Sequence, residues 1–163
     1  MNPIPFMGRR QCQGATMRTF SYEAILEPGE ASDVVVVSFP DVPEAITEGD
    51  DEHAALLSAE EALGLALLTY PARGLALPAA RTVGQGPIVT VAADVAAKLA
   101  VLEAFSAAGI SKADLAERLG KDEKAVRRIL DPMHPTKLPA LSEALAAMGQ
   151  RLVIGVEPIV RAA

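Results

Sequence analysis

Four cations crowd one short stretch of the chain, Lys121, Lys124, Arg127 and Arg128. Their chemistry is recognition rather than bond-making: a guanidinium forks onto a guanine edge, and an ammonium holds a phosphate. At 100° per residue they share one arc of a helix over 122–130, while Ala125, Val126, Ile129 and Leu130 take the opposite side. A helix seated in a DNA major groove needs that division, with an apolar underside and a basic outer face. The other groups able to do chemistry are carboxylates. Glu23, Asp33, Asp41 and Asp50 suggest a metal-dependent nuclease, since such enzymes gather acids on strands. Strand-end solvation and helix capping explain the same residues, and that reading is preferred. His53 and His134 are far apart and Cys12 has no second cysteine, so neither a zinc site nor an internal disulfide is expected. No G-x-S-x-G, Walker loop, GxGxxG or H-E-x-x-H occurs. The expectation is a protein with no catalytic residue, no metal and no cofactor.

The elements that must position the cations read as a helix-turn-helix. Ser111 and Asp114 have capping-box spacing, so a helix starts at Ser111. Leu115 and Leu119 supply its apolar stripe, and Ala116 is small where two helices would cross steeply. Gly120 suits a left-handed turn, and Asp122 caps the helix that follows. The candidate DNA-contacting residues are Ser111, Lys112, Lys121, Lys124, Arg127, Arg128 and Lys137, with His134 in the loop beside them. Two features run against the pattern. Lys121 follows the turn glycine where an apolar residue is common, and Asp122 with Glu123 dilutes the local positive charge.

Upstream the texture differs. Thr19–Glu27 alternates, with Phe20, Tyr22, Ala24 and Leu26 on one side, and predicts a half-buried strand. Val34 to Val37 predict a buried strand within 33–39, which Pro40 and Pro43 stop. A third strand over 44–48, a helix from the acidic run 50–52 to Tyr70 before Pro71, and a strand at 88–91 complete a β-β-β-α-β layer. Helices are expected at 95–108, 112–119, 122–130 and 139–148. Residues 151–156 read as a short terminal strand with no partner in its own half. Pairing through Leu152, Val153, Ile154 and Val156 would make a homodimer, or a higher oligomer such as a tetramer. The fold class is therefore α+β: residues 1–17 a disordered tail, 18–93 a mixed layer, and 94–163 a helical DNA-binding and dimerisation half. Met17 offers a second initiation point.

Charge divides along the same line. Residues 18–97 carry three bases against thirteen acids, a net of −10, whereas 98–163 carry ten bases against eight acids. An acidic block repels nucleic acid and a basic-leaning one tolerates it, so two halves with different partners are expected. No run of about 18 apolar residues is free of charge, so no membrane association is expected and a cytoplasmic location is favoured.

Tyr22–Glu23–Ala24, the Val-rich strand, Phe39–Pro–Asp–Val–Pro43, Ala45–Ile–Thr–Glu–Gly–Asp50 and Glu60–Glu–Ala–Leu63 together resemble the HicB family of antitoxins, over about residues 18–156. The resemblance implies a partly degenerate ribonuclease-H-like domain without its catalytic carboxylates, and an appended helix-turn-helix. It also implies a partner, a small basic mRNA-cleaving toxin of the HicA type, and autorepression at operator double-stranded DNA. Asp33, Phe39, Asp41, Glu44 and Glu48 are the residues expected at the toxin. Leu77–Pro78–Ala79–Ala80–Arg81 departs from the family pattern, which puts the path of that loop in question. A different class of function, a stand-alone or ligand-responsive regulator with an oligomerising N-terminal domain, would lack a neighbouring gene for a basic toxin.

Overall fold

The computed structural model describes residues 17–30, 33–81, 84 and 86–156. Most of the expected tail, 1–16, lies outside them. Among the described residues the fold is α+β, with two small antiparallel sheets and five helices. The alternation over 19–27 persists in space: Phe20, Tyr22 and Ala24 are buried and Leu26 packs beside them. Pairing nonetheless divides the stretch. β1 (Ser21–Glu23) pairs with β5 (Ile88–Thr90). β2 (Ile25–Pro28) pairs with β3 (Val35–Ser38), which pairs in turn with β4 (Ile46–Gly49). The alternation sets which side chains point inward but not which neighbour each half of the stretch bonds to.

Helix α1 (Glu52–Ala72) covers the inner face of the sheets with Ala55, Ala59, Leu63 and Leu67. Its cap is Asp51, whose carboxylate accepts from the Ala54 amide at 2.7 Å. The expected stop before Pro71 falls two residues short: the helix takes Pro71 into its last turn, forgoing the hydrogen bond that an N–H there would give, and ends one residue later. The helix ends before Gly74, at φ 70°.

Helix α2 (Ala93–Ala108) joins two cores. Leu99, with Val95 and Ala96, packs into the core of the sheets and α1. Ala97, Val101 and Ala104 pack into a second core with Leu141, Ala144 and Leu145 of α5 (Leu138–Ala147). Between them lie α3 (Lys112–Leu119) and α4 (Glu123–Ile129). A 93/94 division therefore places in the second half a helix that also helps to build the first core.

Within the single chain, the expected terminal strand forms no pairing among the described residues. Residues 151–156 make no ladder within the chain, and among the described residues no strand edge pairs with them. Leu152 is half-buried against the second core, while Val153, Ile154 and Val156 are 58%, 60% and 96% exposed. A strand exists only through a partner's hydrogen bonds, and sequence pattern alone supplies none. No helix among the described residues is long and apolar enough to cross a membrane.

Candidate nucleic-acid interface and its acidic counterpart

The α3–turn–α4 unit is built by three local devices. Ser111 Oγ accepts from the Asp114 amide at 3.1 Å, and the Asp114 carboxylate accepts from the Ser111 amide at 2.9 Å, the reciprocal box expected from spacing. The hydrogen bond from the Ser111 hydroxyl holds the Asp114 carboxyl below the usual carboxylate range. Gly120 takes φ 61°, a left-handed conformation that most side chains resist. Asp122 then caps α4, accepting from the Ala125 amide at 2.7 Å.

Packing orients the unit. Leu115, Ala116 and Val126 form a small core under Phe105, Ile110 and Leu130. Ala116 is 5% exposed, so a larger residue there would push the two helices apart. Val126 and Ile129 anchor the underside of α4, and Lys124, Arg127 and Arg128 stand exposed on its outer side.

Not every cation is equally available. Lys121 Nζ lies 3.0 Å from the Glu143 carboxylate on α5, and one Arg127 guanidinium nitrogen donates to the Glu123 carboxylate one turn earlier at 3.1 Å. Arg118 donates to the Ala147 carbonyl at 3.3 Å, tying α3 to the end of α5. Lys112, Lys124, Arg128 and Lys137 are exposed and make no ion pair with a described residue, and His134 is exposed beside them. Ser111 faces solvent as a cap. The site is thus centred on Lys124 and Arg128, with Lys121 and Arg127 restrained.

Sequence reasoning missed the residue that fixes the end of α4. Lys98, on α2, is 5% exposed. Its ammonium donates to the Ile129 carbonyl at 2.8 Å, the Asp131 carbonyl at 3.1 Å and Thr136 Oγ1 at 2.8 Å. Those carbonyls belong to the end of a helix and the turn after it, where intrahelical donors run out. Burial pushes this lysine below its ordinary pKa, and Asp131 partly opposes the shift. The one available signal was a lysine amid an Ala/Leu/Val helix, which reads more simply as surface.

The acidic half is less as expected. Phe39 is 1% exposed and belongs to the core, so its side chain is not at the surface. Asp41 is held by Arg81, whose amide and Nε donate at 2.7 Å each, and these bonds hold its carboxyl below the usual range. Glu44 accepts from the Tyr70 hydroxyl at 2.7 Å, which likewise lowers its pKa. Asp33 and Glu48 are exposed. Glu23 accepts from the amides of Gly84 and Gly86 at 3.0 and 2.8 Å, fixing that loop. Among the described residues no group of three or more His, Cys, Asp or Glu gathers as a metal site. The loop whose path was in question is pinned by the Asp41–Arg81 pair and by the Tyr22 hydroxyl donating to the Pro78 carbonyl at 2.8 Å.

This combination, an acidic α+β half and a compact helical half with a cationic outer helix, is the frame in which the relatives are found. The chain is 36% identical over 141 residues to Antitoxin HicB 1 of Photorhabdus laumondii, covering 86% of this chain and 90% of that protein. It is 31% identical over 147 residues to Antitoxin HicB of Pseudomonas fluorescens, covering 89% and 98%. It is 32% identical over 118 residues to Antitoxin HicB of Escherichia coli K12, covering 72% and 86%. No protein-family model matches the chain. At these identities over this share of both sequences, the chain belongs to the HicB family of antitoxins.

Proposed function

We propose that this antitoxin works with both halves, one neutralising a small basic mRNA-cleaving toxin of the HicA type and the other repressing its own operon. The observation that carries the reading is α4, which presents Lys124, Arg127 and Arg128 together to solvent while Val126 holds it on α3 and Ile129 anchors it in the core of α2 and α5. As a helix-turn-helix, α3 and α4 would lay that face in the major groove of operator DNA, with Lys112 and Lys137 on flanking phosphates. The protein itself catalyses nothing in this reading. It acts in the cytoplasm by occupying surfaces.

Two copies are required, because a half of near-neutral charge binds DNA weakly alone and two half-sites multiply affinity. The exposed side chains of the 151–156 segment support this. Antiparallel pairing with the same segment of a second copy would give its backbone a ladder and cover Val153 and Ile154. Removing the chain from Gln150 onward should lower the mass in solution, and an unchanged mass would place the dimer contact elsewhere.

The central test is co-expression with the neighbouring gene, followed by the mass of what elutes and by anisotropy titration of DNA from upstream of the operon. A basic protein eluting with the chain, and a complex that shifts this DNA in a strongly salt-dependent manner, are the expected results. DNA binding with no co-eluting protein would instead favour a stand-alone regulator.

A further inference from the structure

We infer that the toxin-docking surface is the outer face of the β2–β3–β4 sheet, which joins the expected Glu48 to Ile25, Glu27 and Ile46 and leaves out the buried Phe39. This rests on the antitoxin reading above and adds the location and chemistry of its contact. Registration puts two rows on that face. Ile25 and Ile46 flank Ser38, and Glu27 and Glu48 flank Val36. Ile46 is 63% exposed and Ile25 38%, and both glutamates are exposed. The inner rows, by contrast, point Leu26, Val37 and Val35 toward α1 and the core.

A sheet face with bare isoleucines at one end and paired carboxylates at the other asks for a particular partner. Glu27 and Glu48 stand two strand spacings apart, about 10 Å, suited to two separate cations on the partner rather than one. The field around them has a single sign, because no Lys or Arg occurs between Arg18 and Arg73 while twelve acids do. Glu30 and Asp33 sit at the β2–β3 turn, and Asp50 follows β4, so the same end of the sheet gathers further charge. A second copy docking face to face would set these carboxylates against their like, and nucleic acid would be repelled. A basic RNA-binding protein carrying apolar side chains fits both rows. The outer side of β1 is unsuited, since Glu23 there holds the Gly84 and Gly86 loop.

The competing surface is the outer stripe of α1, where Leu57 and Leu65 are 60% and 55% exposed. The experiment uses the full chain and, as probe, a purified HicA-type toxin, with affinity measured by calorimetry at low and high salt. Glu27→Lys with Glu48→Lys should weaken binding at least about 100-fold, and Glu27→Gln with Glu48→Gln about 10-fold with a smaller salt dependence. Ile25→Ser with Ile46→Ser should also weaken it about 10-fold or more, and Leu57→Ser with Leu65→Ser should leave it within about threefold. Circular dichroism and DNA affinity of each variant separate lost contact from lost fold. Wild-type affinity in the glutamine and serine sheet variants, with loss in the α1 variant, would overturn the face while leaving the antitoxin reading intact. A change in self-association mass without a change in toxin affinity would assign the face to a second copy and also overturn it. Failure of the wild type to bind the probe would remove both.

Discussion

Replacing Lys98 by Met removes one nitrogen from the interior and leaves a side chain of similar length. Three acceptors then lose their donor: the Ile129 and Asp131 carbonyls and Thr136 Oγ1. A hydrogen bond from a charged donor contributes about 1.5–3 kcal/mol, so three together contribute about 4.5–9 kcal/mol. Against this stands the cost of keeping an ammonium out of water, which is several kcal/mol and is recovered when the charge is removed. The difference, about 2–4 kcal/mol of lost stability, should lower the urea midpoint by about 1–2 M at a slope near 2 kcal/mol/M. Because α2 contributes to both cores, the loss should appear in a single transition followed by far-UV circular dichroism. The alkaline limb gives an independent check. With its folded pKa lowered by burial, Lys98 binds fewer protons folded than unfolded between the two values. Stability of the wild type should therefore rise with pH across that window, and Lys98→Met should lack this rise. A midpoint within about 0.3 M of wild type at neutral pH would refute the claim that this lysine holds the end of α4.

Four further outcomes follow from the geometry. Gly86→Ala should destabilise by about 1–3 kcal/mol in the same urea assay, because a Cβ there would run into the Ala24 carbonyl oxygen. Asp41, with its folded pKa lowered by Arg81, contributes stability that is whole above the ordinary aspartate value and is lost as pH falls through the lowered one. Asp41→Asn should flatten that part of an acid titration followed by tryptophan-free methods such as circular dichroism, and an unchanged acid limb would count against the pair. Arg128→Ala should weaken operator binding by about 1–3 kcal/mol if its guanidinium reads a base. Lys124→Ala should instead lower affinity evenly across DNA sequences and reduce the salt slope by about one, as expected of a phosphate contact. Unchanged DNA affinity in both would remove α4 as the reader.

What the sequence determined by itself is whatever depends on residues a turn apart. The reciprocal Ser111–Asp114 cap, the left-handed Gly120, and the separation of Val126 and Ile129 from Lys124, Arg127 and Arg128 all follow from helical period and local hydrogen bonding. The inward set Phe20, Tyr22, Ala24 and Leu26 follows in the same way from the period of a strand. Tertiary structure decided every question of company. It turned Lys98 inward to the end of α4, closed Arg81 onto Asp41 across forty residues, and took Phe39 into the core while leaving Ile25 and Ile46 outside. It also left 151–156 without a strand to join among the described residues. Burial and pairing depend on what the rest of the chain brings alongside, and no local period encodes that.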